Sequence, residues 1–145
     1  VKGWIKFKPI LEPLDLVIVG ATHGEGKRSE FLSSYILACK SGDKLLECGM
    51  SSSGLKEKSS VGLTYQDMTE MLKNIITKRD ARTVYVKPQI VVEVIYEEIQ
   101  KSPTYSSGYA LRFPKISRLR EDKPLKDIAT LKDIEKIFAK QKGKK

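Results

Sequence analysis

The chain has 145 residues and a formal net charge of +9, from 27 lysines and arginines against 18 acids. That length reads as one domain with a short appendage at most, and the basic excess predicts a polyanionic partner, because each neutralised phosphate releases condensed counterions. No apolar run approaches the ~20 residues of a membrane span, no signal peptide heads the chain, and Cys39 and Cys48 are too far apart for a CxxC metal site. An intracellular, soluble domain with buried free thiols is the expectation.

Val1 runs straight into Lys2-Gly3-Trp4-Ile5-Lys6-Phe7-Lys8 without an initiator methionine, which predicts a cut inside a longer protein. Residues 4–8 alternate like the last strand of something larger, and Pro9 and Pro13 bracket a linker. Leu14 to Ala21 is rich in β-branched residues and predicts a central strand, with Gly24-Glu25-Gly26-Lys27-Arg28 as the loop after it. His23 is expected at the surface in a turn. Strands follow near Phe31 to Cys39 and Lys44 to Cys48, and Lys40-Ser41-Gly42-Asp43 between them has hairpin chemistry. Ser51 to Ser60 reads as a polar loop.

Thr64 to Asp67 resembles a capped helix start, and Met68, Met71, Leu72, Ile75 and Ile76 fall on one helical face, a core stripe. Strands return at about Thr83 to Lys87, Ile90 to Glu97 and Tyr109 to Leu119. A last helix from Thr130 would bury Leu131, Ile134, Ile137 and Phe138, leaving Gln141 to Lys145 as a frayed basic tail. The order predicts an all-β-dominated fold: a five-stranded OB-fold barrel with a helix after the third strand and a C-terminal helix, of the kind whose face and loops hold nucleic acid. An SH3-like barrel has no natural place for the middle helix.

Two segments carry chemistry. Lys6 and Lys8 lie at i and i+2 on a strand and point the same way, so both ammonium groups can converge on one phosphate; a solvated edge is the plainer alternative. Leu111-Arg112-Phe113-Pro114-Lys115, followed by Arg118, Arg120, Glu121, Asp122 and Lys123, places an aromatic among cations beside a stiffening proline. That suits a groove wedge with phosphate contacts on either side. The alternative makes Phe113 a barrel core residue and the charges a surface strand, and chemistry alone leaves both open.

Together and in order these segments resemble the covalent nucleotidyltransferases, specifically ATP-dependent DNA ligases of the archaeal and eukaryotic replicative type. Trp4-Ile5-Lys6-Phe7-Lys8 looks like motif V, W-x-K-x-K. Leu14 to Ala21 with Gly24-x-Gly26-Lys27-Arg28 resembles the first OB strand and its loop. Ser102-Pro103-x-Tyr105 and Gly108-x-Ala110-Leu111-Arg112-Phe113-Pro114 match the approach to motif VI, and Arg120-Glu121-Asp122-Lys123 looks like motif VI itself, R-x-D-K. The serine-rich stretch from Cys48 to Gly62 departs most from the pattern.

The resemblance implies residues 1–8 as the end of the adenylation domain, 9–124 as the OB-fold domain ending in motif VI, and 125–145 as a C-terminal helix and basic tail. It implies nick sealing in duplex DNA through enzyme-adenylate and DNA-adenylate intermediates, with ATP and Mg²⁺ used by the full-length parent. The nucleophilic lysine of K-x-D-G is absent from this chain, so the fragment alone is expected to be inactive. Lys6 and Lys8 would contact the AMP α-phosphate, and Arg120, Asp122 and Lys123 would orient the leaving pyrophosphate. On DNA the domain would rotate, turning motif VI outward and bringing Arg112 and Phe113 to the groove, with Lys27 and Arg28 on the backbone. Glu93 reads as a structural acid paired with a nearby cation.

The implied partners are nicked duplex DNA and the parent's own adenylation and DNA-binding domains. A sliding clamp stays open, since no clamp-binding box is visible. A monomer without membrane contact is expected, cytoplasmic in an archaeal-type parent and nuclear in a eukaryotic one. Two other readings remain at this point: a free-standing OB-fold nucleic-acid binder, which should carry more exposed aromatics on one face, and the tail of an mRNA capping guanylyltransferase.

Overall fold

The computed structural model describes residues 12–23, 32–51, 65–81, 83–120 and 123–143. In chain order these form β1 (Leu14–His23), β2 (Leu32–Ser41), β3 (Lys44–Ser51), α1 (Tyr65–Lys73), β4 (Ile76–Asp80), β5 (Thr83–Ile95), β6 (Glu98–Lys101), β7 (Tyr109–Arg112), β8 (Lys115–Leu119) and α2 (Leu131–Gly143), with a short 3-10 turn at Leu125–Asp127. Antiparallel pairing runs β3-β2-β1-β5-β4, β8 joins β5, and β6 with β7 makes a separate hairpin.

β1 organises the fold because its side chains alternate between two buried faces. Leu14, Leu16 and Ile18 point into the main core with Leu37, Val92, Val94, Met68, Leu72, Ile99, Ile116 and Ile134. Each such side chain fully buried contributes roughly 1.5–3 kcal/mol of gross apolar burial. Val17 points the other way and meets Ala38, Val91 and Ile128 in a small cluster on the outer face. Ile128 belongs to the segment after β8, so this cluster fastens that segment across the back of the sheet.

Gly20 lets β1 bend. The register slips between Ile18 and Gly20 against both neighbours, the signature of a bulge. A Cβ at Gly20 would stand 3.0 Å from the Val84 carbonyl oxygen and 3.0 Å from Ile36 Cδ1. Here glycine is required by close approach. At the β2–β3 hairpin Gly42 adopts φ 60°, as its turn demands.

Among the described residues no hydrogen-bonded ladder closes the OB-like barrel. The turn before β7 meets β3 through single bonds: Ser107 N donates to the Glu47 carbonyl at 3.1 Å, and Glu47 N donates to Ser106 Oγ at 2.8 Å. α2 begins with a reciprocal cap, Asp133 N donating to Thr130 Oγ1 at 3.2 Å and Thr130 N donating to Asp133 Oδ2 at 2.9 Å.

Several elements differ from the sequence expectation, each for a visible reason. The expected strand from Tyr109 to Leu119 is two strands, because Phe113 turns the chain at φ 51° before Pro114. The strands at 83–87 and 90–97 are one, β5, which passes through Pro88. The stripe through Ile76 overruns α1: Ile75 N donates to the Leu72 carbonyl, and Ile76 opens β4. Gln141 is helical rather than frayed, because its amide pairs with the Ile99 backbone at 2.6 and 2.9 Å, as a neighbouring strand would. His23 is half-buried at the end of β1. Cys39 and Cys48 are free and buried as expected. The segments expected at 4–8 and 24–28, the Thr64 cap and most of the serine-rich loop lie outside the described residues.

Candidate functional site

Five charged side chains gather on the outer face where β1, β5 and β8 run together. Asp15 stands directly opposite Glu93 in the β1–β5 ladder, and Glu93 stands opposite Arg118 in the β5–β8 ladder. The register places all three on the face that also carries Val17 and Val91. A slip between Glu93 and Val94 leaves Ser117 as the extra residue of β8, and its hydroxyl donates to Glu93 Oε2 at 2.9 Å.

Arg120 follows β8 and is anchored by its backbone, N donating to the Val91 carbonyl at 2.8 Å. Its Nη1 donates to both Asp15 oxygens, at 3.2 and 3.4 Å, and approaches Glu93 Oε1 at 3.5 Å. Lys123 Nζ lies 3.0 Å from Asp15 Oδ2, and Arg118 Nε lies 3.1 Å from Glu93 Oε1. Arg120, Asp15 and Glu93 keep only 19 %, 16 % and 21 % of their side-chain surface exposed, so these pairs are partly shielded from water. The Ser117 hydroxyl, then Arg118 and Arg120, hold the Glu93 carboxyl below its ordinary value, outweighing the opposing effect of burial.

The other end of β8 is different. Arg112 and Phe113 sit at the β7–β8 turn, about 17 Å of strand away from Arg120. Phe113 is 60 % exposed and holds a left-handed φ of 51°, which a bulky L-residue rarely adopts. The strained backbone turns the ring outward, away from the barrel interior. Arg112 stacks its guanidinium 5.0 Å from the ring centroid and pairs with Glu98 at 2.8 Å. Phe113 is therefore not a barrel core residue.

Of the residues expected at the site, the structure brings Arg120 and Lys123 together and sets Arg112 beside Phe113. Lys6, Lys8, Lys27, Arg28 and Asp122 lie outside the described residues. Sequence reasoning gave Asp15 no role and placed Glu93 outside the site; the available signal was an acid flanked by apolar residues in each of two strands, Leu14-Asp15-Leu16 and Val92-Glu93-Val94.

The family model described as ATP dependent DNA ligase C terminal region matches residues 28–123. The chain belongs to this family. Among similar curated proteins, a DNA ligase of Nanoarchaeum equitans is 50 % identical over 96 % of this chain and 25 % of its own length, and one of Methanothrix thermoacetophila is 45 % identical over 99 % and 25 %. This chain thus spans about a quarter of the length of these relatives. Among solved structures, the ligase domain of Mycobacterium tuberculosis LigD is similar with a TM-score of 0.65 and 27 % identity, over 81 % of this chain and 38 % of that one. The family match extends through Arg120 and Lys123.

Proposed function

We propose that this region serves an ATP-dependent DNA ligase at two separate steps, through the two ends of β8. The observation that supports this is the separation itself: Arg120 and Lys123 stand side by side over paired carboxylates at one end, while an exposed, arginine-stacked Phe113 marks the other. In this reading residues 1–8 end the adenylation domain, 9–124 are the OB-fold domain and 125–145 the closing helix and tail.

Arg120 and Lys123, with Asp122, orient the leaving pyrophosphate of ATP when the region folds over the adenylation site. Arginine offers a planar fork of donors and lysine a compact charge, and both are worth most where negative charge develops. Lys6 and Lys8 neutralise the α-phosphate. On DNA, Phe113 wedges into the groove beside the nick, while Arg112, Lys27 and Arg28 take backbone phosphates.

Mg²⁺, which the full-length parent would use, has no evident seat among the described residues. The described residues contain no cluster of three or more His, Cys, Asp or Glu able to hold a metal, and Asp15 and Glu93 already face cations. Among the described residues no helix is long and apolar enough to cross a membrane. In this reading the parent is a monomer acting in the cytoplasm on nicked duplex DNA, with archaeal DNA ligases among its relatives; recruitment by a sliding clamp stays open.

Titration of this chain with nicked duplex tests the DNA side. With three phosphate contacts, affinity should fall roughly 40-fold between 50 and 200 mM salt. Phe113→Ala should weaken it further, and Arg120→Ala should not. Salt-independent binding, or a preference for single strands, would instead favour the free-standing binder.

A further inference from the structure

We propose that Asp15 and Glu93 are positioning residues for adenylation, a carboxylate cradle that fixes the orientation of Arg120 and Lys123 toward pyrophosphate. The inference rests on the functional reading of Arg120 and Lys123 given above. Directly opposed acids in an antiparallel pair bring their Cβ atoms to about 5 Å and repel each other unless cations lie between them. Arg120 reaches both carboxylates, Lys123 reaches Asp15 and Arg118 reaches Glu93. Three cations against two carboxylates leave the cluster one positive charge, so it remains attractive to an anion.

Arg120 N is tied to the Val91 carbonyl, Lys123 N to the Arg120 carbonyl at 3.2 Å, and Ala129 N to the Asp15 carbonyl at 2.8 Å. Ile128 packs on Val17 and Val91 beside the cluster. Arg120 and Ala129, on either side of Lys123, are therefore tied by their backbones to the two strands that carry the acids.

This arrangement decides between a latch and a cradle. A latch would break when the region swings between adenylation and DNA. Asp15, Glu93, Arg120 and Lys123 all belong to one sheet and its strap, so a domain rotation carries them together and leaves these ion pairs intact. What the carboxylates do is hold long, flexible cationic side chains in one geometry before substrate arrives. Such preorganisation should appear in the rate of the chemical step more than in ATP affinity.

The test is a double-mutant cycle in the parent ligase, with single-turnover adenylation and sealing of a pre-adenylated nick measured separately. Asp15→Asn keeps the shape and removes the charge. It should slow adenylation at saturating ATP about 10-fold, change half-saturating ATP less than about 3-fold, and leave sealing within about 2-fold. In an Arg120→Ala background Asp15→Asn should add clearly less than it does alone, because only Lys123 is left for it to hold. Glu93→Gln, a second variant should Asp15→Asn melt early, should behave the same way with a smaller effect. Effects that multiply fully with Arg120→Ala, or that slow both steps alike, would overturn the cradle. If Arg120→Ala itself leaves adenylation untouched, the functional reading of motif VI fails first, and the two failures are told apart.

Discussion

Replacing Phe113 by glycine should disturb the fold less than replacing it by alanine, the reverse of the usual order. Phe113 is 60 % exposed, so about 40 % of its surface is covered, roughly 80 Å² and at most about 2 kcal/mol of apolar burial. The Arg112 stack contributes another ~0.5–1 kcal/mol. Both variants lose these contributions. At φ 51° any residue with a Cβ also bears about 1–2 kcal/mol of left-handed strain, which alanine keeps and glycine relieves. Glycine gives back ~0.5–1 kcal/mol through its more flexible unfolded chain. The balance puts Phe113→Gly about 1–2 kcal/mol below the native chain, with Phe113→Ala about 0.5–1 kcal/mol lower still. Urea denaturation of the three chains, with equal slopes required, measures the order. Losses of 3–5 kcal/mol in both variants, as for a buried ring, would return Phe113 to the core and refute the exposed-wedge reasoning.

Gly20→Ala should cost about 1–3 kcal/mol in the same assay, because its Cβ would press on a backbone carbonyl that cannot move aside. Glu93 has a folded value below the ordinary 4.5, so its stabilisation is present above that value and is lost as pH falls through the folded one. Melting followed from pH 6 downward should therefore show a decline below about pH 4.5 that is shallower in Glu93→Gln. Thr130→Ala removes a reciprocal cap and should lower stability by about 1 kcal/mol, read from the same denaturation curves. Cys39 and Cys48, both buried, should resist a thiol reagent in the native chain and react together on unfolding.

How much of this was legible beforehand depended on where the physics is local. β1 and α1 announced themselves through β-branched density and the Met68–Leu72 stripe, both later found against one core. The start of α2 at Thr130 was equally local, although its capping partner Asp133 was not singled out. β6 was invisible, since a strand of four residues with one buried side chain carries no periodicity of its own. β4 hid in the tail of the helical stripe because Ile75 and Ile76 suit either structure until the chain turns. The pairing of Asp15 with Glu93 was beyond reach for another reason: it joins positions far apart in the chain through a register that only the assembled sheet defines. Arg120 and Lys123 were recognisable by motif, but the carboxylates opposite them were not.

The central claim is that one end of β8 serves adenylation and the other serves DNA. Single-turnover kinetics of the separate steps, in the parent ligase carrying Arg120→Ala, Lys123→Ala or Phe113→Ala, test it most directly. The first two variants should slow self-adenylation by on the order of 30-fold or more, corresponding to about 2 kcal/mol, and seal a pre-adenylated nick nearly as fast as the native enzyme. Phe113→Ala should adenylate normally and bind or seal the nick poorly. If all three variants slow the same step to the same degree, the two ends of β8 are not functionally distinct and the account is wrong.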